Sequence, residues 1–222
     1  MKQRIVAAFL SVFALESLGM AQSPSPSPTP NIVQPTPATF VPATRVLVSI
    51  SEQKLAVVVN NKVSRVYKIS TSRYGEGDSL GSCRTPLGRL AVATKIGALA
   101  PAGGVFRKRQ FTGEILSANA PGRDPIVSRI IWLRGSEEAN HNAFHRCIYI
   151  HGTPQEDFLG RKASFGCVRM RSSDVIEVFN WVQVGTEVSI IDKPITQGLK
   201  EELDAEKLLA KNAVRPESVA VH

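Results

Sequence analysis

The chain has 222 residues, 43% of them hydrophobic and 6% aromatic, and its 27 Lys and Arg against 19 Asp and Glu give a net charge of +8. Beyond the N-terminus, no apolar run approaches the roughly 20 residues of a transmembrane helix, which excludes a membrane span in the mature chain. No aromatic-rich basic motif of the kind that stacks bases is present, so we expect no nucleic-acid partner.

The first 44 residues predict export and a tether. Lys2 and Arg4 precede the apolar run IVAAFLSVFAL, and small residues follow up to Ala21. This order is typical of a secretory signal peptide over residues 1–21. Residues 22–44 are rich in Pro, Ser and Thr, which removes backbone donors and offers little apolar surface to bury. We therefore expect a linker there and a protein located in the periplasm or cell wall.

Residues 45–193 form the predicted globular domain, because dense Val, Ile and Leu begin and end there. Its 21 Lys and Arg exceed its 13 Asp and Glu, so the domain carries the basic surplus. An anionic polymer outside the cytoplasm, or a membrane surface, is the favoured partner of such a surface. Ordinary solvated charges are the alternative reading.

The early part of this domain reads as β structure. Segments 45–50, 54–59 and 62–69 have strand composition, and Asn60-Asn61 between the last two predicts a two-residue hairpin turn, since Asn tolerates positive φ. A Gly-rich loop then leads to a strand at 89–96. Residues 97–128 carry many Gly and Pro, which predicts an irregular insertion of the kind that forms a flap or a groove wall.

The later part adds three strands and one core helix. Strands are predicted at 129–135, 147–152 and 187–192. Between the last two, Ser172 or Ser173 is a candidate N-cap for a helix with apolar residues at helical spacing. The residues 194–222 form a charged, partly helical tail that either packs on the domain or extends freely. The pattern is mainly β with a single docked helix.

Two residues stand out for chemistry. His151 ends an apolar strand and is followed by Gly152 and Thr153, and Cys167 follows in ASFGCVRM. Functional side chains often sit where a strand opens into a loop. An imidazole near a thiol favours the nucleophilic thiolate, and backbone N–H groups around Gly166 can stabilise an oxyanion. A cysteine acyltransferase is thus one reading, and a buried small hydrophobe is the plain alternative for Cys167.

In these segments the chain resembles the L,D-transpeptidase catalytic domain (YkuD family). The matching elements are HGT at 151–153, SFGCVR at 164–169 and RTPLGRLAVATKIG at 84–97. The resemblance implies an L,D-transpeptidase-like β-sandwich or barrel with one docked core helix and a long loop insertion.

The resemblance also implies roles for the site residues. Cys167 is the nucleophile and His151 its base. Phe165 stands where the family usually has a second His, so with Gly166 it supports the oxyanion only through the backbone. Arg169 occupies the family's Asn or Arg position, and its guanidinium suits a carboxylate or carbonyl. The implied substrate-binding set is Arg169, Ser164, Gly152 and Thr153.

The family reaction is acyl transfer on peptidoglycan. The thiolate attacks the bond before the terminal D-Ala of a tetrapeptide stem, and the acyl group passes to an amine to give a 3-3 cross-link. With water as acceptor the product is that of an L,D-carboxypeptidase, and a catalytically silent wall-binding module is the non-enzymatic alternative. The resemblance also implies covalent inhibition by carbapenems. Sortases share the order His, Cys, Arg, but the residues before Cys167 do not match theirs.

The remaining thiols and imidazoles leave two further hypotheses. In an oxidising compartment, Cys83 and Cys147 are candidates for a disulfide, and otherwise they are small residues of the core or groove wall. A zinc cluster can be imagined from four residues: His141, His145, Cys147 and His151. They lack the spacings of zinc motifs, so no metal and no cofactor is expected.

Overall fold

The computed structural model describes residues 43–213. The predicted signal peptide and nearly all of the predicted linker therefore lie outside the described residues, although the first strand already begins at Thr44. The ten strands are β1 Thr44–Ser49, β2 Lys54–Val59, β3 Lys62–Ser70, β4 Gly88–Ile96, β5 Gly104–Arg107, β6 Gln110–Ile115, β7 Ile126–Gly135, β8 Tyr149–Gly152, β9 Val168–Met170 and β10 Glu187–Ile191. Within residues 43–213 the two α-helices are α1 Ser172–Trp181 and α2 Ile195–Ala213.

The strands form one mixed sheet that closes on itself. Eight strands follow the order β4-β10-β1-β2-β3-β9-β8-β7, and a pairing of β4 with β7 completes the ring, while β5 and β6 extend from β7. The hairpin of β2 and β3 turns through Asn60 and Asn61 at φ 48° and 64°, as their tolerance of positive φ predicted. The expected mainly β, barrel-like architecture is confirmed.

The inner face of the sheet encloses the core around α1. Val175, Val178 and Phe179 of α1 pack with the inward side chains of the strands, among them Ile150 of β8 and Val168 of β9. Burial of each such side chain stabilises the fold by about 1.5–3 kcal/mol. The helix begins at Ser172. Arg171 is the N-cap residue, but its side chain makes no capping hydrogen bond. The predicted Ser N-cap is wrong, since both serines lie inside the helix, and the Ser172 N–H donates to Glu156 Oε1 at 3.2 Å.

The insertion at 97–128 is more regular than its Gly and Pro content predicted. It contains the β5–β6 hairpin, which turns at Lys108 and Arg109, both at positive φ. Gly103 starts this hairpin, and a side chain there would collide with the carbonyl of Leu116. Its Gly residues therefore permit tight strand approach, and the prediction of an irregular excursion is wrong for the hairpin.

The start of helix α2 covers the outer face of β1 and β2. Ile195 and Leu199 pack on Leu47, Ala56 and Val58, whereas Leu208 and Leu209 at the far end are 60% and 70% exposed. The tail is thus a second docked helix over its first turns, in addition to the one that was predicted. Within residues 43–213, no helix has the length and apolar character needed to cross a membrane.

Candidate active site

The site is built on two adjacent parallel strands. In the pairing of β8 with β9, Ile150 lies opposite Val168 and His151 opposite Arg169. Because Ile150 and Val168 point into the core, the alternation of a strand turns His151, Arg169 and the preceding Cys167 to the other face. The fold therefore presents the thiol and the imidazole on one face of the sheet.

Cys167 lies where the loop from β8 enters β9. Its Sγ accepts a hydrogen bond from the Tyr149 N–H at 3.4 Å and donates to the Cys147 carbonyl at 3.4 Å. Burial raises the pKa of the Cys167 thiol to about 11, although the Tyr149 N–H and the guanidinium groups of Arg146 and Arg169 lower it. In the free protein the thiol is therefore protonated at neutral pH.

His151 is buried, and its tautomer follows from its partner. Nδ1 lies 2.8 Å from the Gly152 carbonyl oxygen. Since a carbonyl only accepts, Nδ1 carries the proton and Nε2 keeps its lone pair. Burial holds the pKa of His151 below its ordinary value; the Gly152 hydrogen bond and the Asp124 carboxylate raise it, and the Arg169 charge lowers it. The ring is thus neutral near pH 7 and has the form of a base.

The two groups are neighbours that do not yet touch. By register, Cys167 lies opposite Tyr149, two residues before His151 along β8. Strand spacing and rise per residue then separate the Cα atoms of Cys167 and His151 by about 8 Å. Within residues 43–213, the hydrogen-bond partners of the sulfur are backbone atoms, as described above. Side-chain rotation over this distance can join thiol and imidazole, and catalytic contacts commonly tighten only when substrate binds.

The loop before Cys167 is held by buried polar contacts. Ser164 Oγ donates to the Cys167 carbonyl at 2.6 Å and accepts from the Gly166 N–H at 3.3 Å. Thr85 Oγ1, in the segment 84–97 that resembles the family, donates to the Gly166 carbonyl at 3.0 Å and links that segment to the loop. Gly166 has φ 121°, a conformation that side-chain-bearing residues rarely adopt. Ser164, which the family resemblance places in the substrate-binding set, is a buried part of this turn.

Phe165 projects from the same turn toward solvent. The ring is 60% exposed, lies 5.8 Å from the Tyr74 ring and is covered by the Arg73 guanidinium at 4.6 Å. Phe165, which replaces the family's second His, therefore forms part of an exposed rim of aromatic and cationic side chains. The Gly166 backbone conformation is maintained without that His.

A family profile described as the L,D-transpeptidase catalytic domain (YkuD) matches residues 43–190. This match spans well over half of the chain. The chain belongs to the YkuD family of L,D-transpeptidase catalytic domains. The family assignment made from HGT and SFGCVR is thereby confirmed.

Individual curated relatives of this chain carry the name of the same enzyme family. The L,D-transpeptidase-family protein YqjB of Bacillus subtilis (strain 168) is 33% identical over 147 residues, which cover 66% of this chain and 70% of YqjB. YbiS of Escherichia coli (strain K12), also named as an L,D-transpeptidase, is 44% identical over 50 residues, which cover 22% of this chain and 16% of YbiS.

Solved structures of the same family are more distant. L,D-transpeptidase 3 from Mycobacterium tuberculosis, in complex with a faropenem-derived adduct, aligns with a TM-score of 0.44 at 20% identity, covering 67% of this chain and 60% of that one. The L,D-transpeptidase from Mycobacterium smegmatis aligns with a TM-score of 0.44 at 14% identity, covering 68% and 59%. This YkuD domain thus spans about three fifths of those solved chains.

In this YkuD domain, the Arg169 side chain is buried and already has partners within the protein. It is 4% exposed, pairs with the Asp124 carboxylate and donates to Ser70 Oγ at 3.1 Å. Thr153 Oγ1 donates to the other oxygen of Asp124. Asp124 lies in the insertion at 97–128, and no sequence signal distinguished it from the other acidic residues. Arg169 therefore already pairs with a carboxylate of the protein, that of Asp124 in the insertion.

Gly152 is also required by packing. A side chain there would place Cβ 2.6 Å from the Val127 carbonyl and 3.2 Å from Val175 of α1. The implied substrate-binding residues Arg169, Ser164, Gly152 and Thr153 are all buried. In this structure they support the strands and the loop behind the thiol, so their direct contact with substrate stays a prediction that their burial argues against.

A basic groove of about 480 Å³ lies beside the Phe165 rim. Its lining residues are Arg73, Gln155, Phe158, Arg161, Lys162 and Ala163. A larger groove of about 620 Å³ is lined in part by Lys54, Lys68 and Arg161, and neither groove has Cys167 or His151 among its lining residues. The smaller groove is the nearer of the two to the nucleophile loop, because Arg73 in its wall stacks on Phe165.

The other two thiols do not pair with each other. Cys83, Cys147 and Cys167 are all free. Cys147 instead contacts the Tyr149 hydroxyl, while the Cys83 carbonyl accepts from Ser72 Oγ at 2.6 Å. The disulfide hypothesis for Cys83 and Cys147 is thus not met in this structure. Within residues 43–213, no three His, Cys, Asp or Glu side chains converge in a way that could hold a metal ion.

Proposed function

We propose that this protein is a cysteine-dependent L,D-transpeptidase that acts on peptidoglycan tetrapeptide stems through an acyl-enzyme. Cys167 is the nucleophile and His151 its base. The observation that carries the proposal is the β8–β9 register. It supports an arrangement in which the Cys167 thiol and the His151 imidazole lie on one face of the sheet, with the imidazole proton on Nδ1 and the lone pair on Nε2. Family membership supports an enzyme of this type.

The first half-reaction transfers one proton and forms one bond. Nε2 of His151 takes the Cys167 proton as the sulfur attacks the carbonyl of the bond before the terminal D-Ala. The resulting imidazolium gives that proton to the leaving D-Ala nitrogen, and a thioester remains on Cys167. The raised pKa of the thiol and the lowered pKa of His151 both favour a neutral resting pair. Deprotonation therefore accompanies attack and does not precede it.

Backbone donors stabilise the oxyanion in this proposal. The N–H groups of Gly166 and Cys167 adjoin the sulfur, and the Gly166 N–H makes only a 3.3 Å contact with Ser164 Oγ. A contact of this length is near the weak end of hydrogen bonds, so a developing oxyanion competes for it readily. Phe165 does not interfere, because its side chain points to solvent.

In the second half-reaction an amine of another stem attacks the thioester, giving a 3-3 cross-link. Water in place of the amine gives L,D-carboxypeptidase activity. We further propose that residues 1–21 direct export and that residues 22–44 tether the domain within reach of the wall. The basic surplus of residues 45–193 supports an anionic polymer as the partner.

The decisive experiment incubates the purified chain with a disaccharide-tetrapeptide and follows the muropeptides and the intact protein by mass spectrometry. Loss of D-Ala with dimer formation, both absent from Cys167→Ala, is the expected result. Loss of D-Ala without dimers identifies a carboxypeptidase. An unchanged substrate with a folded protein contradicts the proposal and favours the silent wall-binding module.

A carbapenem offers an independent test of the nucleophile. The proposed thiolate opens the β-lactam ring, so imipenem is expected to increase the protein mass by one inhibitor molecule, located on Cys167 by peptide mapping. Cys83→Ser is the matched control, because it removes a free thiol outside the proposed pair and should still acylate. Adduct formation in Cys167→Ala would contradict the assignment.

A further inference from the structure

Two arginines of the smaller basic groove carry their charge without a carboxylate partner. Arg73 and Arg161 both line this groove of about 480 Å³, and both are exposed. Arg73 Nη2 donates to the Ala163 carbonyl at 2.8 Å, and Arg161 Nη2 donates to the Asp157 carbonyl at 3.0 Å. Within residues 43–213, neither guanidinium forms an ion pair. Since a guanidinium has several N–H donors, most of them remain available to a ligand.

An aromatic ring supports each of these guanidinium groups. The Arg73 guanidinium lies 4.6 Å from the centre of the Phe165 ring, and the Arg161 guanidinium lies 5.1 Å from the centre of the Phe158 ring. Phe158 also lines the groove. A guanidinium that stacks on a ring and bonds one carbonyl loses little further freedom when a ligand binds. Both charges are therefore held at the groove before a ligand arrives.

The acidic side chains next to the lining residues are engaged with other partners. Glu76 pairs with Lys162 at 2.9 Å, so the third cation of the groove already has a counter-charge. Glu156 pairs with the N-cap arginine of α1 at 3.1 Å. Asp157 Oδ1 accepts from Asn119 Nδ2 at 2.9 Å. The uncompensated positive charge of the groove is therefore that of the two arginines.

The groove adjoins the segments that carry the proposed catalytic pair. The backbone N–H of Arg73 donates to the Ser164 carbonyl at 3.1 Å, in the turn that leads to the nucleophile. In the groove wall, Gln155 Oε1 lies 3.5 Å from Arg169 Nη1, and Arg169 is opposite His151 in the sheet. A ligand in this groove therefore contacts residues beside both the thiol and the imidazole.

We propose that this groove binds free carboxylates of a peptidoglycan stem, with Arg73 and Arg161 as the recognising residues. The identity of the ligand as a stem rests on the proposed function, whereas the affinity of the groove for anions does not. Arg169 of the family motif is not free for this role, because it pairs with the Asp124 carboxylate. Guanidinium groups present paired N–H donors that fit a planar carboxylate, so the two arginines are suited to it.

Binding is measured on the full purified chain carrying Cys167→Ala, which holds the stem without reacting with it. A calorimetric titration with a disaccharide-tetrapeptide is compared with a titration of the same compound whose carboxylates are converted to carboxamides. Arg73→Gln and Arg161→Gln should each weaken binding of the free acid by about tenfold, since each removes a charge-assisted contact. The amidated compound should bind weakly and equally to all of these variants.

Lys62→Gln is the matched control for charge. It removes one exposed positive charge at the start of β3, whereas Ser70 at the other end of that strand pairs with Arg169. A charge this far from the groove is screened by salt, so the affinity should stay within about twofold. Arg161→Lys keeps the charge but loses the planar fork, and its affinity should lie between those of the wild-type side chain and Arg161→Gln.

A second control separates recognition from damage to the nucleophile turn. Because Arg73 bonds this turn, the rate at which iodoacetamide alkylates Cys167 is measured in Arg73→Gln and Arg161→Gln with the thiol present. Iodoacetamide is neutral and small, so an intact turn gives an unchanged rate. If the rate changes in Arg73→Gln, Arg161→Gln alone decides the proposal, since its side chain bonds a carbonyl outside the turn.

Three results of the titrations would overturn the proposal. They are equal affinity for the free acid and the amidated compound, unchanged affinity in Arg161→Gln, and no measurable binding of the tetrapeptide. If a glycerol phosphate oligomer binds instead, and Arg73→Gln and Arg161→Gln abolish that binding, the groove serves a phosphate polymer and the assignment to a stem is wrong.

The release of D-Ala separates this inference from the proposed function. With Cys167 present, Arg161→Gln should raise KM by about tenfold and leave kcat within about twofold, because the groove binds the stem away from the reacting bond. If the wild type releases no D-Ala while binding still depends on the carboxylates and on both arginines, the proposed function fails and the groove stands. If D-Ala release is normal and KM is unchanged in Arg161→Gln, only the groove fails.

Discussion

The sheet face that carries Cys167 and His151 differs sharply from the rim around it. On the sheet face, backbone hydrogen bonds, buried polar contacts and the close approach at Gly152 determine where each side chain lies. At the rim, the exposed Phe165 side chain contacts the Tyr74 ring and the Arg73 guanidinium. The proposed nucleophile and base therefore lie on strands with buried contacts, whereas residue 165 lies at an exposed position where the contacts of this turn do not require a particular side chain.

The largest expected effect breaks the chemistry while sparing the scaffold. Cys167→Ala should lower D-Ala release by at least about a thousandfold, because no other group can form the acyl-enzyme. The melting temperature should stay within a few degrees, since a small thiol at the edge of a cluster adds little packing. Calorimetry beside the activity assay checks both, and a large stability loss would favour a structural cysteine.

Next in size is a change to the scaffold itself. Gly152→Ala should destabilise the protein by about 3 kcal/mol, because its Cβ would meet the Val127 carbonyl of β7 at 2.6 Å. Gly122→Ala is the control: it has open space around it and φ 101°, so it should cost only about 1 kcal/mol. Equal losses in urea unfolding would mean that the close approach at Gly152 has no special weight.

The buried thiol also predicts a pH dependence of stability. An unfolded thiol loses its proton near about pH 8.5, whereas the folded Cys167 has a pKa of about 11. Between these values the folded state binds more protons, so stability falls as pH rises, by about 3 kcal/mol in total. Burial also raises the pKa of Tyr149, to about 12, which adds to the fall. The Cys167→Ala variant keeps the tyrosine contribution, so unfolding of the two proteins from pH 7 to 11 isolates the thiol; parallel curves would contradict its burial.

The smallest expected effect lies at the rim. Phe165 and Arg73 should couple by about 0.5 kcal/mol in a double-mutant cycle of Phe165→Ala and Arg73→Ala, as exposed cation–π pairs do. Phe165→His, which restores the family's usual residue, should change stability by less than about 0.5 kcal/mol. A loss of several kcal/mol in either variant would show that the rim is part of the rigid scaffold.

Local sequence patterns predicted the elements whose structure depends on residues adjacent in the chain. The paired Asn residues make the turn, and the apolar runs become strands near their predicted ends. The short β9 was missed because three residues carry too little periodicity to be recognised. The β5–β6 hairpin was missed because its Gly residues, needed for close strand approach, resemble those of an irregular loop.

The sequence by itself determined the family, the mainly β class and the hypothesis that Cys167 and His151 act together, because these depend on residue identity and order along the chain. Only the tertiary structure decided that Arg169 is paired with Asp124, that partial burial raises the pKa of the Cys167 thiol, and that the sulfur donates to the Cys147 carbonyl. Each of these facts depends on contacts between residues far apart in the chain. Their energies come from burial and from charge pairing in three dimensions, which no local pattern records.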